Sequence, residues 1–311
     1  MATTLKGKDI LRADQFTPAE LGLILETAVR FEAALRAGER PANMAGKVLA
    51  TLFYEPSTRT RLSFETAMLR LGGQVLSVAE AKTSSSAAKG ETLYDTGKMI
   101  EGYADVAVIR HPLLGSAQEL AEGAGIPIIN GGDGAGQHPT QALLDLYTLI
   151  KEKGRVDGLT VALAGDLKNG RTVHSLSALL ANFGVKFYLV SPAALSMPPD
   201  IVSQLARRRV EMVETMDLAE AVAHSDVLYM TRIQKERFSD PAEYERLKNS
   251  YVLDSALLAG AKPGITILHP LPRVDEIARE VDAYEGAAYF RQAANGVPVR
   301  MALLALVTGQ E

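Results

Sequence analysis

The sequence predicts an α/β protein of two domains, each with a central parallel sheet flanked by helices. Two patterns and one length carry that prediction. Short apolar runs alternate with longer amphipathic stretches along the chain, the order expected when each strand is followed by a covering helix. The amphipathic stretches repeat at helical spacing, as in Phe64, Met68 and Leu71. The chain has 311 residues, about two domains at roughly 150 residues each.

Taken in order, residues 48–54 read as the first buried strand. The helix carrying Phe64, Met68 and Leu71 follows, and Gly72-Gly73 ends it. Further buried strands are expected at 74–78, 106–109, 127–129, 161–164, 186–190, 227–230 and 265–268. Thr140, Leu143, Leu144, Tyr147 and Ile150 mark a helix over 139–151, and a last apolar helix covers 299–307. The order divides the chain into a first domain over 1–137 and a second over 138–291, with 138–150 as an interdomain helix. The C-terminal helix within 292–311 is expected to pack back on the first domain, and the site is expected in the cleft between the two. Residues 83–90, TSSSAAKG, have the composition of a linker. They read as a mobile surface loop or, with Lys89-Gly90-Glu91 at the end, as a functional one.

Composition excludes several functions. Lys and Arg number 33 against 37 Asp and Glu, for a net charge of −4, so no global field draws nucleic acid. The one dense basic spot, Arg207-Arg208-Arg209, reads as a solvated helix face. An anionic substrate must therefore be drawn by a local cluster of cations. There is no cysteine, hence no disulfide, thiolate nucleophile or cysteine metal site. The first 16 residues carry Lys6, Lys8, Asp9, Arg12 and Asp14 and lack the apolar core of a signal peptide. The late apolar run 301–307 is too short to span a bilayer. A cytoplasmic enzyme without metal or organic cofactor, acting on neither nucleic acid nor membrane, is expected.

The strongest local signal is Phe53-Tyr54-Glu55-Pro56-Ser57-Thr58-Arg59-Thr60-Arg61, which follows a strand and opens a helix. A helix start offers free backbone N–H groups to an anion. Ser57, Thr58 and Thr60 add hydroxyl donors, and Arg59 adds a planar fork suited to phosphate. The competing reading is a helix cap by Ser57 or Thr58; a cap needs one hydroxyl, not three beside two arginines.

This segment resembles the carbamoyl-phosphate signature of the carbamoyltransferases. The resemblance continues in the family's order through Lys89-Gly90-Glu91-Thr92, Arg110-His111-Pro112 and Gln137-His138-Pro139-Thr140-Gln141. It extends to the segment from Gly165 to Thr172, to Thr231-Arg232-Ile233-Gln234-Lys235-Glu236-Arg237, and to His269-Pro270-Leu271-Pro272-Arg273. The last three resemble the aspartate-using branch. Residue by residue, the resemblance implies that Ser57, Thr58, Arg59 and Thr60 bind the phosphate, with Thr60 also near the carbonyl. It implies that Arg110, His138 and Gln141 contact the carbamoyl half. Arg171 and Arg232 would hold the two carboxylates of aspartate, with Gln234 beside them. Pro270 and Leu271 would present backbone carbonyls before a cis Leu271–Pro272 bond. Ser85 and Lys89 would reach a neighbouring subunit's site in a homotrimer; Ala87 and Ala88 depart from commoner versions of that loop and leave Ser85 in competition with Ser86. The segments 170–175 and 273–276 look like those of chains that associate with regulatory subunits. The implied reaction joins carbamoyl phosphate and L-aspartate to N-carbamoyl-L-aspartate and phosphate, an early step of pyrimidine synthesis, with domain closure on substrate.

The chemistry suits the residues. A neutral amine attacks an activated acyl donor directly, through a tetrahedral intermediate, so no enzyme nucleophile is required, and no G-x-S-x-G elbow is present. Arg59, Lys89 and the helix start suit the leaving phosphate; Thr60, Arg110 and His138 suit the oxyanion; Arg171 and Arg232 suit a dicarboxylate. Taken singly, Lys89, Arg110 and Arg232 also read as solvated or salt-bridged surface, His138 as a satisfied loop histidine, and residues 269–272 as a rigid turn. Arg171 opens a helix, where a cation is mildly unfavourable, which argues for a functional reason. Rivals are weaker. Ornithine-using relatives carry His-Cys-Leu-Pro where this chain has His269-Pro270-Leu271-Pro272. The glycine-rich stretch 132–137 ends in Gln137 where a dinucleotide loop needs glycine. A scaffold paralogue would have lost some of the basic residues that are all present here.

Overall fold

The computed structural model describes residues 3–81 and 85–311, and among these nine strands and their crossover helices form two parallel sheets. Thr83 and Ser84 of the expected linker, and Met1 at the head of the N-terminal stretch, lie outside the described residues. Two compact units are formed, Met1–Leu144 with Asn295–Glu311, and Asp145–Ala294.

In the first unit the strands are β1 (Val48–Phe53), β2 (Gln74–Ala79), β3 (Val106–His111) and β4 (Ile128–Asp133), in the order β2-β1-β3-β4. All pairings are parallel: Val48 lies opposite Gln74, Leu49 opposite Val106, Ala107 opposite Ile128. Its core gathers Leu52, Ala107, Ile109, Leu120 and Ile128. The C-terminal segment belongs to this unit, held where Gly7 N–H donates to Val307 O at 2.8 Å and Asn43 Nδ2 to Gln310 O at 2.8 Å.

In the second unit the strands are β5 (Thr160–Ala164), β6 (Lys186–Val190), β7 (Glu211–Thr215), β8 (Val227–Met230) and β9 (Thr266–Leu268), in the order β7-β6-β5-β8-β9, all parallel. Ala162, Val190, Leu228, Met230 and Ile267 centre its core.

Two strands depart from the sequence reading. The buried strand expected at 74–78 is corrected: β2 has no fully buried residue, and Leu76 is 46% exposed. It is an edge strand beside β1, and it lacks, among the described residues, the bridged segment by which Ile10 covers β4 at the other edge. β7 was not expected at all. Its EMVET sequence interleaves glutamates with apolar residues, the pattern of a half-covered edge rather than a continuous apolar run. The helix expected over 139–151 spans Pro139–Lys153, and the last helix begins earlier than expected, spanning Tyr289–Thr308 with Pro298 inside. Arg207, Arg208 and Arg209 are all exposed. Among the described residues no helix is long and apolar enough to cross a membrane.

Gly165 closes the end of β5. It has φ +122°, and a Cβ there would lie 2.0 Å from Thr231 O. We expect Gly165→Ala to destabilise the protein by about 3 kcal/mol or more, from strain plus collision. Gly154→Ala, also at positive φ (+72°) but with open space around it, is expected to cost about 1–2 kcal/mol. Urea denaturation of the two variants checks the difference.

Candidate functional site

Almost every side chain singled out in the sequence lies at or just beyond the C-terminal end of a parallel strand. In the first unit Ser57–Thr60 follow β1, Ser85–Lys89 follow β2, Arg110 ends β3, and His138 and Gln141 follow β4. In the second, Arg171 follows β5, Arg232 and Gln234 follow β8, and Pro270 and Leu271 follow β9. That edge is where ligands bind in open α/β sheets.

The turn after β1 leads into the helix Thr58–Arg70. Ser57 occupies the cap position in extended backbone, but its hydroxyl makes no cap bond, which leaves the hydroxyl and the first N–H groups available to an anion. Thr58 and Arg59 are exposed, whereas Thr60 is buried. Arg110 is held from two sides: its Nη1 donates to Gly131 O at 3.3 Å, and its Nε lies 3.4 Å from Glu55 Oε2. Its own carbonyl accepts from Tyr54 N–H at 2.8 Å, so the ends of β1 and β3 cannot drift apart. Thr60 approaches the same carbonyl strand: a Cβ at Gly131 would stand 3.5 Å from Thr60 Cγ2.

His138 and Gln141, both buried, open the helix Pro139–Lys153. The loop before them is cross-tied by Asp133, whose Oδ1 accepts from Gln137 N–H at 2.7 Å and whose Oδ2 accepts from Gly115 N–H at 2.9 Å. Asn130 Nδ2 donates to the same carboxylate at 3.1 Å. Ser85 turns into its own chain, where its hydroxyl donates to Ala81 O at 2.5 Å and accepts from Ala87 N–H at 3.2 Å. Ser86 and Lys89 are exposed. Burial raises the pKa of the Tyr54 phenol, as does the charge of Glu91, while the nearby Thr96 and Ser85 hydroxyls act to lower it.

In the second unit the loop from Gly165 to Arg171 is folded on Asp166, a buried carboxylate that accepts from Asn169 N–H at 2.9 Å and from its side-chain amide. Asn169 O accepts from Arg171 N–H at 3.0 Å and from Gln234 Nε2 at 3.0 Å. One carbonyl thus ties the Arg171 segment to the Arg232–Gln234 segment, and Arg171 and Arg232 are both half-buried. After β9 the Leu271–Pro272 peptide is cis, as the resemblance implies, and Leu271 has φ +56°. That left-handed turn is held by His269: Nδ1 accepts from Leu271 N–H at 2.8 Å, so the ring proton sits on Nε2 and is donated to Glu276 Oε1 at 2.7 Å. Arg273 pairs with Asp282, which also accepts from the Tyr289 hydroxyl; burial and that carboxylate push the Tyr289 phenol up to about 12.

Glu55, Asp133, Asp166, Asn169 and Glu276 were not singled out beforehand. Each acts by holding another residue or the backbone. For the first four the sequence signal was an acidic or amide side chain beside glycine or proline in a predicted loop; Glu276, between Asp275 and Ile277, carried none. Among the described residues no group of three or more His, Asp or Glu could hold a metal ion.

Comparison with known proteins gives a consistent result. Residues 8–151 match the model for the aspartate/ornithine carbamoyltransferase carbamoyl-P binding domain, and residues 157–307 match that for the Asp/Orn binding domain. The chain is 54% identical over 304 residues to the aspartate carbamoyltransferase catalytic subunit of Thermococcus kodakarensis, covering 98% of both chains. It is 51% identical to that of Methanosarcina barkeri, covering 98% of this chain and 99% of the other. The crystal structure of Trypanosoma cruzi aspartate transcarbamoylase with carbamoyl phosphate superposes with a TM-score of 0.93 at 44% identity, over 97% of each chain. The catalytic subunit of M. jannaschii aspartate transcarbamoylase gives 0.88 at 50% identity, over 96% of each.

Burial opposes the charge of Glu276, but the bonds it accepts from His269 and from the N–H groups of Val274 and Asp275 outweigh it and hold its pKa below 4.5. A carboxylate with a depressed folded-state pKa contributes stability above its unfolded value, and the contribution is lost as pH falls through the folded value. Glu276→Gln replaces an acceptor by a donor facing donors. The variant is expected to lose stability at neutral pH and to show a shallower loss on acidification below about pH 4.5. Chemical denaturation across that range checks both.

Proposed function

The chain belongs to the aspartate/ornithine carbamoyltransferase family, and we propose that it transfers the carbamoyl group of carbamoyl phosphate to the amine of L-aspartate. The observation that carries the choice of acceptor is the pairing of two arginine-bearing segments through Asn169 O, at neighbouring strand ends. A dicarboxylate needs two cations, and a guanidinium binds a carboxylate through two parallel bonds. Ornithine would bring a second ammonium to those same arginines.

In this reading the start of the helix Thr58–Arg70, with Ser57, Thr58, Arg59 and Thr60, takes the phosphate. Arg110, His138 and Gln141 take the carbamoyl group, and Thr60, Arg110 and His138 share the negative charge that develops on its oxygen. Arg171 and Arg232 hold the carboxylates with Gln234 beside them. The carbonyls of Pro270 and Leu271 accept from the amine. The C–N bond forms first; the bond from carbon to the phosphate oxygen then breaks. The departing phosphate takes the amine proton, since a His138 that donates to the carbonyl oxygen cannot also deprotonate the nucleophile. Alignment of two reactive anions that repel each other supplies much of the acceleration, up to ~7–11 kcal/mol.

The same reading extends to a homotrimer in which Ser85 and Lys89 complete a neighbouring subunit's site. Ser85's bonds within its own chain make Lys89 and the exposed Ser86 the better placed side chains. A cytoplasmic role early in pyrimidine synthesis, and association with a regulatory chain, rest on the family resemblance.

Steady-state turnover with carbamoyl phosphate, offering aspartate and ornithine separately, tests the proposal: product from aspartate alone is expected, and product from ornithine would overturn the specificity argument. Arg232→Ala should weaken aspartate far more than carbamoyl phosphate. His138→Asn should lower turnover by on the order of 10²–10³ without abolishing it; complete loss rescued by imidazole would instead assign His138 as the base.

A further inference from the structure

A buried chain of polar side chains in the second unit is not used by the reaction as described. It begins at the Tyr229 hydroxyl. Tyr229 lies in β8, three residues before Arg232. Its hydroxyl donates to Asp145 Oδ2 at 2.9 Å. Asp145 Oδ1 accepts from Gln292 Nε2 at 2.6 Å. Gln292 Oε1 then accepts from His269 N–H at 2.8 Å, and His269 holds Leu271 N–H and Glu276. Tyr229, Asp145, Gln292 and His269 are each at most 1% exposed.

The direction of this chain is set at one point. A carboxylate only accepts, so Asp145 receives a donor on each oxygen. Gln292 must turn its amide nitrogen inward, and its oxygen is left for His269 N–H. Each bond fixes the next, and the two ends are the strand that leads to Arg232 and the Leu271 turn. Burying so many polar groups is costly, and a well-packed apolar set of the same volume is often as stable or more so. A role in geometry accounts for what packing alone does not require.

We propose that Tyr229 and Gln292 are positioning residues for the acceptor amino acid: through Asp145 they hold the Arg232 strand end and the Pro270–Leu271 carbonyls in one register. The inference rests on the reading of Arg232, Pro270 and Leu271 as aspartate-binding.

The test uses the full chain with Tyr229→Phe, which removes one hydroxyl, and Gln292→Met, which keeps side-chain length. Both substrates are varied, and the thermal midpoint is recorded. For Tyr229→Phe the aspartate KM should rise about tenfold, within the ~100-fold that a misplacement near 1 Å can cost, while the carbamoyl phosphate KM stays at the wild-type value. Gln292→Met should do the same or more; should it fail to fold, Tyr229→Phe decides alone. Unchanged aspartate kinetics in Tyr229→Phe would overturn the inference, as would equal changes in both KM values in step with the thermal midpoint, the mark of a merely structural role. A wild-type chain that turns over carbamoyl phosphate but not aspartate would overturn the functional reading, and the inference falls with it. A wild type active on aspartate beside a kinetically unchanged Tyr229→Phe overturns the inference alone.

Discussion

Parallel pairing means that every crossover leaves from the same edge of a sheet. In each unit of this protein that edge gathers strand ends, helix starts and the loops between them. Strand ends there cannot separate without losing ladder hydrogen bonds, and helix starts carry N–H groups with no partner inside the helix. The edge is therefore both rigid and locally positive, even in a chain whose net charge is −4. Donors fixed by the backbone ladder need little reorganisation to receive an anion.

Cations placed on such an edge must be aimed, and the structure aims them with acceptors rather than with packing. Arg110 stands between the Glu55 carboxylate and Gly131 O. Asn169 O receives both Arg171 N–H and the Gln234 amide. His269, with one ring nitrogen accepting and the other donating, keeps Leu271 in a left-handed conformation that an L residue adopts only at a cost of about 1–2 kcal/mol. These contacts share a logic: a group that makes no productive contact of its own fixes the direction of one that does. Close approach serves the same end at Gly165, where only a hydrogen fits against Thr231 O.

The central strands were legible because burial on both faces demands a nearly continuous apolar run, and that demand acts on each residue separately. The edges divide. β4 and β9 are buried throughout because Ile10 and Ala287 bridge to them, whereas β7 carries glutamates and was missed, and β2 was expected but has no fully buried residue. The basic and hydroxyl residues proposed for the site were chosen from the sequence too, since phosphate and carboxylate restrict the side chains that can bind them. Their supports were not. Asp145 and Gln292 are 147 residues apart and Tyr229 and Asp145 are 84 apart, and nothing local in either partner names the other.

By itself the sequence determined the element types, the parallel α/β class and the chemical kinds of group available: helix-start N–H groups, hydroxyls, guanidiniums and one well-placed histidine. Those follow from periodicity and from side-chain chemistry, which are properties of short segments. Only the tertiary structure decided which strands lie at edges, that Ser57 spends no bond on capping, that Ser85 bonds to its own chain, and that one carbonyl joins the Arg171 and Arg232 segments. These are outcomes of strand order and of competition among many acceptors for each donor. Such competition is settled by distances of a few tenths of an ångström that no local pattern encodes.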